Sequence, residues 1–170
     1  MAPKNPRAAG WVRRADYLCA AFGPAPAPSV KIHAMPTATA HYLGHLRTEA
    51  THVASGTIIH TDAPVDNHGK GEAFSPTDLV CVALASCIVT TMGIVANRHQ
   101  LDLAGSTYTT TKHMSTEAPR RIAHIEVALS LPAALAAADR ALMERTARTC
   151  PVALSLHPDV DKQIVFSYDL

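Results

Sequence analysis

The stretch Leu79–Ala96, LVCVALASCIVTTMGIVA, carries no charged residue and constrains the fold more than any other part of the chain. At about the minimum length for a bilayer span, it first has to be weighed as a membrane helix. It lacks a flanking Trp/Tyr belt and contains Ser86, Thr90 and Thr91, which favours a helix buried in a globular domain. The residues just before it fit a helix start. Ser75 suits the N-cap, Pro76 the first helical position, and Asp78 the third position as a capping-box acid. The spacing predicts one helix from Pro76 to about Asn97, apolar on nearly all sides. Such a helix must be covered by other elements or by a partner subunit.

The remaining sequence has to supply that cover. With 170 residues, 48% hydrophobic and 17% charged, the chain fits one globular domain with a real core. A formal charge of +1 and 5% aromatic residues give no basis for nucleic-acid binding or for attraction to a charged membrane. Residues 1–35 differ from the rest, with five basic residues against the single acid Asp16 and a proline-rich stretch over 22–28. They read as a basic extension, flexible or translated from upstream of a start at Met35, without the apolar core of a signal peptide. The domain proper is expected over residues 36–170, in the cytoplasm.

Strand patterns lie on both sides of the helix. Thr39–Arg47 and Thr57–Thr61 read as two strands with a turn at Ala54-Ser55-Gly56, followed by a loop over Asp62–Gly71. Ser106–Lys112 suggests a further strand. Arg121–Leu131 alternates, with Ala123, Ile125, Val127, Leu129 and Leu131 on one face and His124, Glu126 and Ser130 on the other. Ala133–Arg148 is a helix, Pro151–Leu156 a short one, and Gln163–Tyr168 a last strand. The order β-β-α-β-β-α-α-β indicates an α+β domain with an antiparallel sheet.

Four cysteines, at 19, 81, 87 and 150, are too few and too scattered for a secreted disulfide scaffold, and none has zinc-finger spacing. No metal or cofactor is expected. Cys150-Pro151-Val152 places Cys150 at a helix N-cap, where free N–H groups and the helix dipole favour a thiolate and lower the thiol pKa. Cys87 lies inside the long helix, so a cation from elsewhere is needed if it is to react. Cys81, six residues earlier, points about 120° away and reads as a buried hydrophobe.

Tyr42-Leu-Gly-His-Leu-Arg47, Gly71-Glu-Ala-Phe-Ser-Pro-Thr-Asp-Leu79 leading to Ala85-Ser-Cys87, and Cys150-Pro-Val152 together resemble the ordered motifs of the OsmC/Ohr family. Lys112-His-Met114 and Pro119-Arg-Arg-Ile122 are similar to one of its branches, and the likeness covers about residues 38–168. The resemblance implies an intertwined homodimer with a curved, mainly antiparallel sheet around long buried central helices. It further implies a thiol peroxidase acting on organic hydroperoxides, with hydrogen peroxide also reduced by some members, in oxidative stress defence. Cys87 is then the peroxidatic thiol and Cys150 the resolving one. Arg47 becomes the active-site cation, and a dithiol such as a lipoylated protein the reductant. Arginine suits this place because its planar fork stabilises both a thiolate and a developing oxyanion.

One position departs from the pattern. Organic-hydroperoxide-resistance enzymes carry, just after the helix proline, a glutamate that pairs with the arginine. Here Thr77 stands there and the acid follows at Asp78. Asp78, nine residues before Cys87, lies on the opposite side of the helix from it. The partner of Arg47 is therefore open between Asp78 and another acid, and Lys70 is a rival cation. The alternative function is a non-enzymatic stress or ligand-binding protein of the same fold, with an apolar pocket at a dimer interface. A thiol-based redox sensor is a third reading, and the basic extension is its only candidate output.

Overall fold

The computed structural model describes residues 36–170; the basic extension and Cys19 lie outside the described residues. Three strands come first: β1 (Ala38–Gly44), β2 (Arg47–His52) and β3 (Ile58–Asp62), paired antiparallel in that order. The single strand expected over Thr39–Arg47 is thus a hairpin. Gly44, His45 and Leu46 have φ of 80°, 51° and 60°, and three successive left-handed residues reverse the chain. Glycine takes that conformation freely, whereas histidine and leucine rarely do. The reversal makes Arg47 the first residue of β2 and sets it opposite Asp62.

The long helix α1 runs from Pro76 to Arg98 and starts as the sequence indicates. Ser75 Oγ accepts from the Asp78 backbone N–H, and the Asp78 carboxylate accepts from the Ser75 N–H, which completes the capping box. Its buried residues Cys81, Leu84, Ala85, Ile88, Met92 and Ala96 form one stripe at helical spacing. Apolar side chains continue around the helix, and Ile94 is exposed. By length and composition alone α1 could cross a membrane; in this fold its buried stripe joins the core.

The second sheet holds β4 (Thr107–Met114), β5 (Ile122–Leu131) and β6 (Asp161–Tyr168), with β5 in the middle. Its alternation is as expected: Ile125, Val127, Leu129 and Leu131 are buried, while His124, Glu126 and Ser130 face the other way. The strands therefore form two three-stranded sheets rather than one. Pairing is mainly antiparallel, with β5–β6 parallel, and a parallel pair needs a long crossover. Residues 132–160 provide it, bearing α2 (Ala137–Ala147) and α3 (Pro151–Ser155). Helix α2 begins four residues later than its composition suggests. There the Ala133 and Leu135 carbonyls accept from the Arg140 guanidinium at 2.7 and 2.8 Å. Arg140 also lies 4.3 Å over the Tyr168 ring, which ties the crossover to β6. The fold is α+β around one long central helix.

Candidate active site

Cys87 is half-buried on α1, on the side that packs against the core. Cys150 is completely buried at the end of the crossover. Although far apart in sequence, the two are neighbours, close enough for Cys87 to push up the pKa of the Cys150 thiol. Cys81, 2% exposed, belongs to the same core but donates its thiol hydrogen to the Thr77 carbonyl at 3.4 Å. Burial raises its pKa, against the opposing charge of Lys112. Among the described residues all three cysteines are free thiols.

Cys150 does occupy the N-cap of α3, and its Sγ accepts from the Ala153 N–H at 3.3 Å. The expected fall in its pKa is overturned. Full burial pushes the thiol up, the Ala153 N–H counteracts only part of this, and the adjoining Cys87 raises it further. Helix α3 has only five residues, so its end offers little dipole to compensate.

Arg47 makes a fork on Asp62. Its Nε donates to Oδ1 and its Nη2 to Oδ2, each at 2.7 Å, and Nη2 also donates to Glu72 at 2.7 Å. Asp62, 1% exposed, accepts in addition from the Glu72 backbone N–H at 3.0 Å. The hydrogen bonds from Arg47 bring its carboxyl down to about 2 against the upward push of burial. In turn they hold the guanidinium even further above its ordinary pKa. The partners of Arg47 are thus Asp62 and Glu72, and Asp78 is engaged elsewhere. Burial opposes the charge of Asp78, but hydrogen bonds from Lys112 and Ser75 outweigh it and lower the pKa. Lys112 donates also to Ser75 Oγ at 2.9 Å and Thr77 Oγ1 at 2.7 Å. Within the described residues, the hydrogen bonds of Arg47 go to these two acids and none to a thiol. Sequence reasoning missed Asp62 and Glu72; the available signal was the cross-strand position of Asp62, legible only once the hairpin is known.

Near the start of α1, an apolar cavity of about 380 Å³ is lined by Tyr42, Leu46, Thr61, Pro76 and Met114 among others. None of the described cysteines lines it.

The sequence profile of OsmC-like proteins matches residues 69–164, more than half of the chain and the part containing Cys87 and Cys150. The chain belongs to the OsmC family. A solved structure from Psychrobacter arcticus 273-4 is 43% identical, with a TM-score of 0.77, over 81% of this chain and 100% of its own. That protein carries a provisional assignment to osmotic stress induction and detoxification response. An organic hydroperoxide resistance protein OsmC from Legionella pneumophila shares the fold at 17% identity, with a TM-score of 0.63 over 79% of this chain and 99% of its own. Another organic hydroperoxide resistance protein, from Elizabethkingia anophelis, does so at 13% identity and 0.64, over 79% and 98%. Comparison with curated proteins gave no match. The two more distant neighbours show that this OsmC-family protein shares their fold.

Proposed function

We propose that this OsmC-family chain is a cysteine-based peroxidase that reduces organic hydroperoxides in the cytoplasm, where thiols are kept reduced. The observation that supports this reading is that the half-buried Cys87 lies near enough to the buried Cys150, on a separate element, to raise its thiol pKa. The Cys87 thiolate attacks a peroxide oxygen, the O–O bond breaks, and the alkoxide leaves and is protonated to the alcohol. Cys87 is then a sulfenic acid. The Cys150 thiolate attacks that sulfur, the S–OH bond breaks, hydroxide leaves and is protonated to water, and a Cys87–Cys150 disulfide remains for a dithiol, such as a lipoylated protein, to reduce. The nearby second thiol traps the sulfenic acid before it oxidises further. Arg47, oriented by Asp62 and Glu72, is the candidate cation for the thiolate and the leaving oxygen.

The working unit in this proposal is a homodimer. Apolar side chains on α1 outside its buried stripe, together with exposed Tyr42, Leu43, Ile58 and Phe74, are surface that a second copy would cover.

Consumption of cumene hydroperoxide in the presence of dihydrolipoamide or dithiothreitol tests the reading. Cys87→Ser should abolish turnover and Cys81→Ser should leave it nearly intact. Equal loss in both, or persistence in Cys87→Ser, rejects Cys87 as the nucleophile. The apolar cavity, which none of the described cysteines lines, favours one second reading, a ligand-binding protein with inert cysteines. An apolar fluorophore bound equally by wild type and Cys87→Ser, without peroxide turnover in either, would support it.

A further inference from the structure

The solvent side of the second sheet carries a group that the thiol chemistry does not use. His113 on β4 and His124 on β5 are directly opposed in the strand register. Their ring centroids are 5.2 Å apart, tilted at 47°. Glu126 follows two residues along β5 and so projects from the same face. One ring nitrogen from each histidine and a Glu126 carboxylate oxygen lie within 4.8 Å of one another. A fourth residue orients the set: His124 Nδ1 lies 2.7 Å from Asp161 Oδ2 on β6. With Nδ1–H donated to that carboxylate, the lone pair of the neutral ring sits on Nε2.

We infer that His113, His124 and Glu126 form a divalent-metal site of the zinc class, with Asp161 as the positioning residue behind His124. Two imidazoles and a carboxylate match the ligand preference of a borderline ion such as Zn²⁺ and suit Mg²⁺ or Ca²⁺ poorly. Three protein ligands leave one tetrahedral position for water. Closing on zinc, with bonds of about 2.0–2.1 Å, asks the side chains to draw in by roughly an ångström. His113 is exposed and free to do so. The carboxylate–histidine arrangement is the usual second partner of a metal-bound imidazole, fixing its tautomer and raising its basicity.

Placement also settles what the ion touches. Lys112 and Ile125, the neighbours of the two histidines, point the other way, toward α1 and the core. The metal therefore sits across the sheet from α1 and makes no contact with Cys87. Its effect is to clasp β4 to β5 next to the register shift between His113 and Met114.

The test is calorimetric titration of the metal-stripped full chain with ZnCl₂, alongside thermal melts. Wild type and Cys87→Ser should each bind one zinc per chain with equal affinity. His113→Ala and Glu126→Gln, both conservative for the fold, should weaken binding at least about 10-fold, and Asp161→Asn about 10-fold. Zinc should raise the Tm of wild type and not that of His113→Ala. Absence of saturable binding, or binding that survives in His113→Ala and is lost in Cys87→Ser, overturns the site. An unchanged affinity in Asp161→Asn overturns the orienting role.

Discussion

At the scale of single residues, exposure separates the three described thiols. Cys87 is half-buried, whereas Cys81 and Cys150 are at 2% and 0% exposure, with their thiols raised chiefly by burial. In the native protein, brief iodoacetamide treatment at neutral pH should therefore modify Cys87 first. Cys81 and Cys150 should react only after denaturation, as peptide mass mapping would reveal. Asp62 has a different signature. Its folded-state pKa of about 2 lies below the ordinary aspartate value of 3.8, so its pairing with Arg47 stabilises the fold above about pH 4. That stabilisation is lost as pH falls through the folded value. Asp62→Asn should flatten the acid side of a Tm-versus-pH profile between about pH 4 and 2, and should lower Tm at pH 7. A profile as steep in the variant as in wild type would mean that other carboxylates set the acid limb. The site was only partly legible from such residues in isolation. Cys87 and Cys150 stood out by motif, but the pKa direction of Cys150 depends on complete burial, which no local spacing reveals.

Among the elements, α1 was the most legible because its signals are local. Serine, proline and aspartate at adjoining positions define its start, and the capping box forms as they indicate. Ser75, 2% exposed, also accepts from Lys112 of β4, so it joins the helix start to the second sheet. Ser75→Ala should cost about 1–2 kcal/mol in urea unfolding, whereas Ser155→Ala on the short α3 should cost less. The alternation of β5 was readable for the same local reason. The β1–β2 hairpin was not. Its turn is built from Gly44, His45 and Leu46, and the last two are not residues that usually mark left-handed backbone. Missing the turn hid the register, and with it the opposition of Arg47 and Asp62. Asp78, the acid visible beside the helix start, caps the helix and meets Lys112 instead.

For the whole molecule, the α+β class followed from the element order, but the division into two sheets did not, because pairing partners depend on contacts distant in sequence. Proposed dimerisation has a direct thermodynamic consequence. If a second copy covers the apolar surface of α1 and the first sheet, Tm should rise with protein concentration by mass action. Melts at low and high micromolar concentration would measure this, and a constant Tm would speak against an obligate dimer. The parallel β5–β6 pair has a consequence of its own. Cys150 rides on the crossover between those strands, and that connection is closed only when residues 161–168 lie down beside β5. Detaching β6 from β5 therefore frees one anchor of the segment that carries Cys150, and with it the placement of Cys150 beside Cys87. Under the proposed chemistry, a molecule with β6 detached would form a sulfenic acid on Cys87 with no second thiol held beside it, so local opening at one sheet edge would become a route to irreversible oxidation.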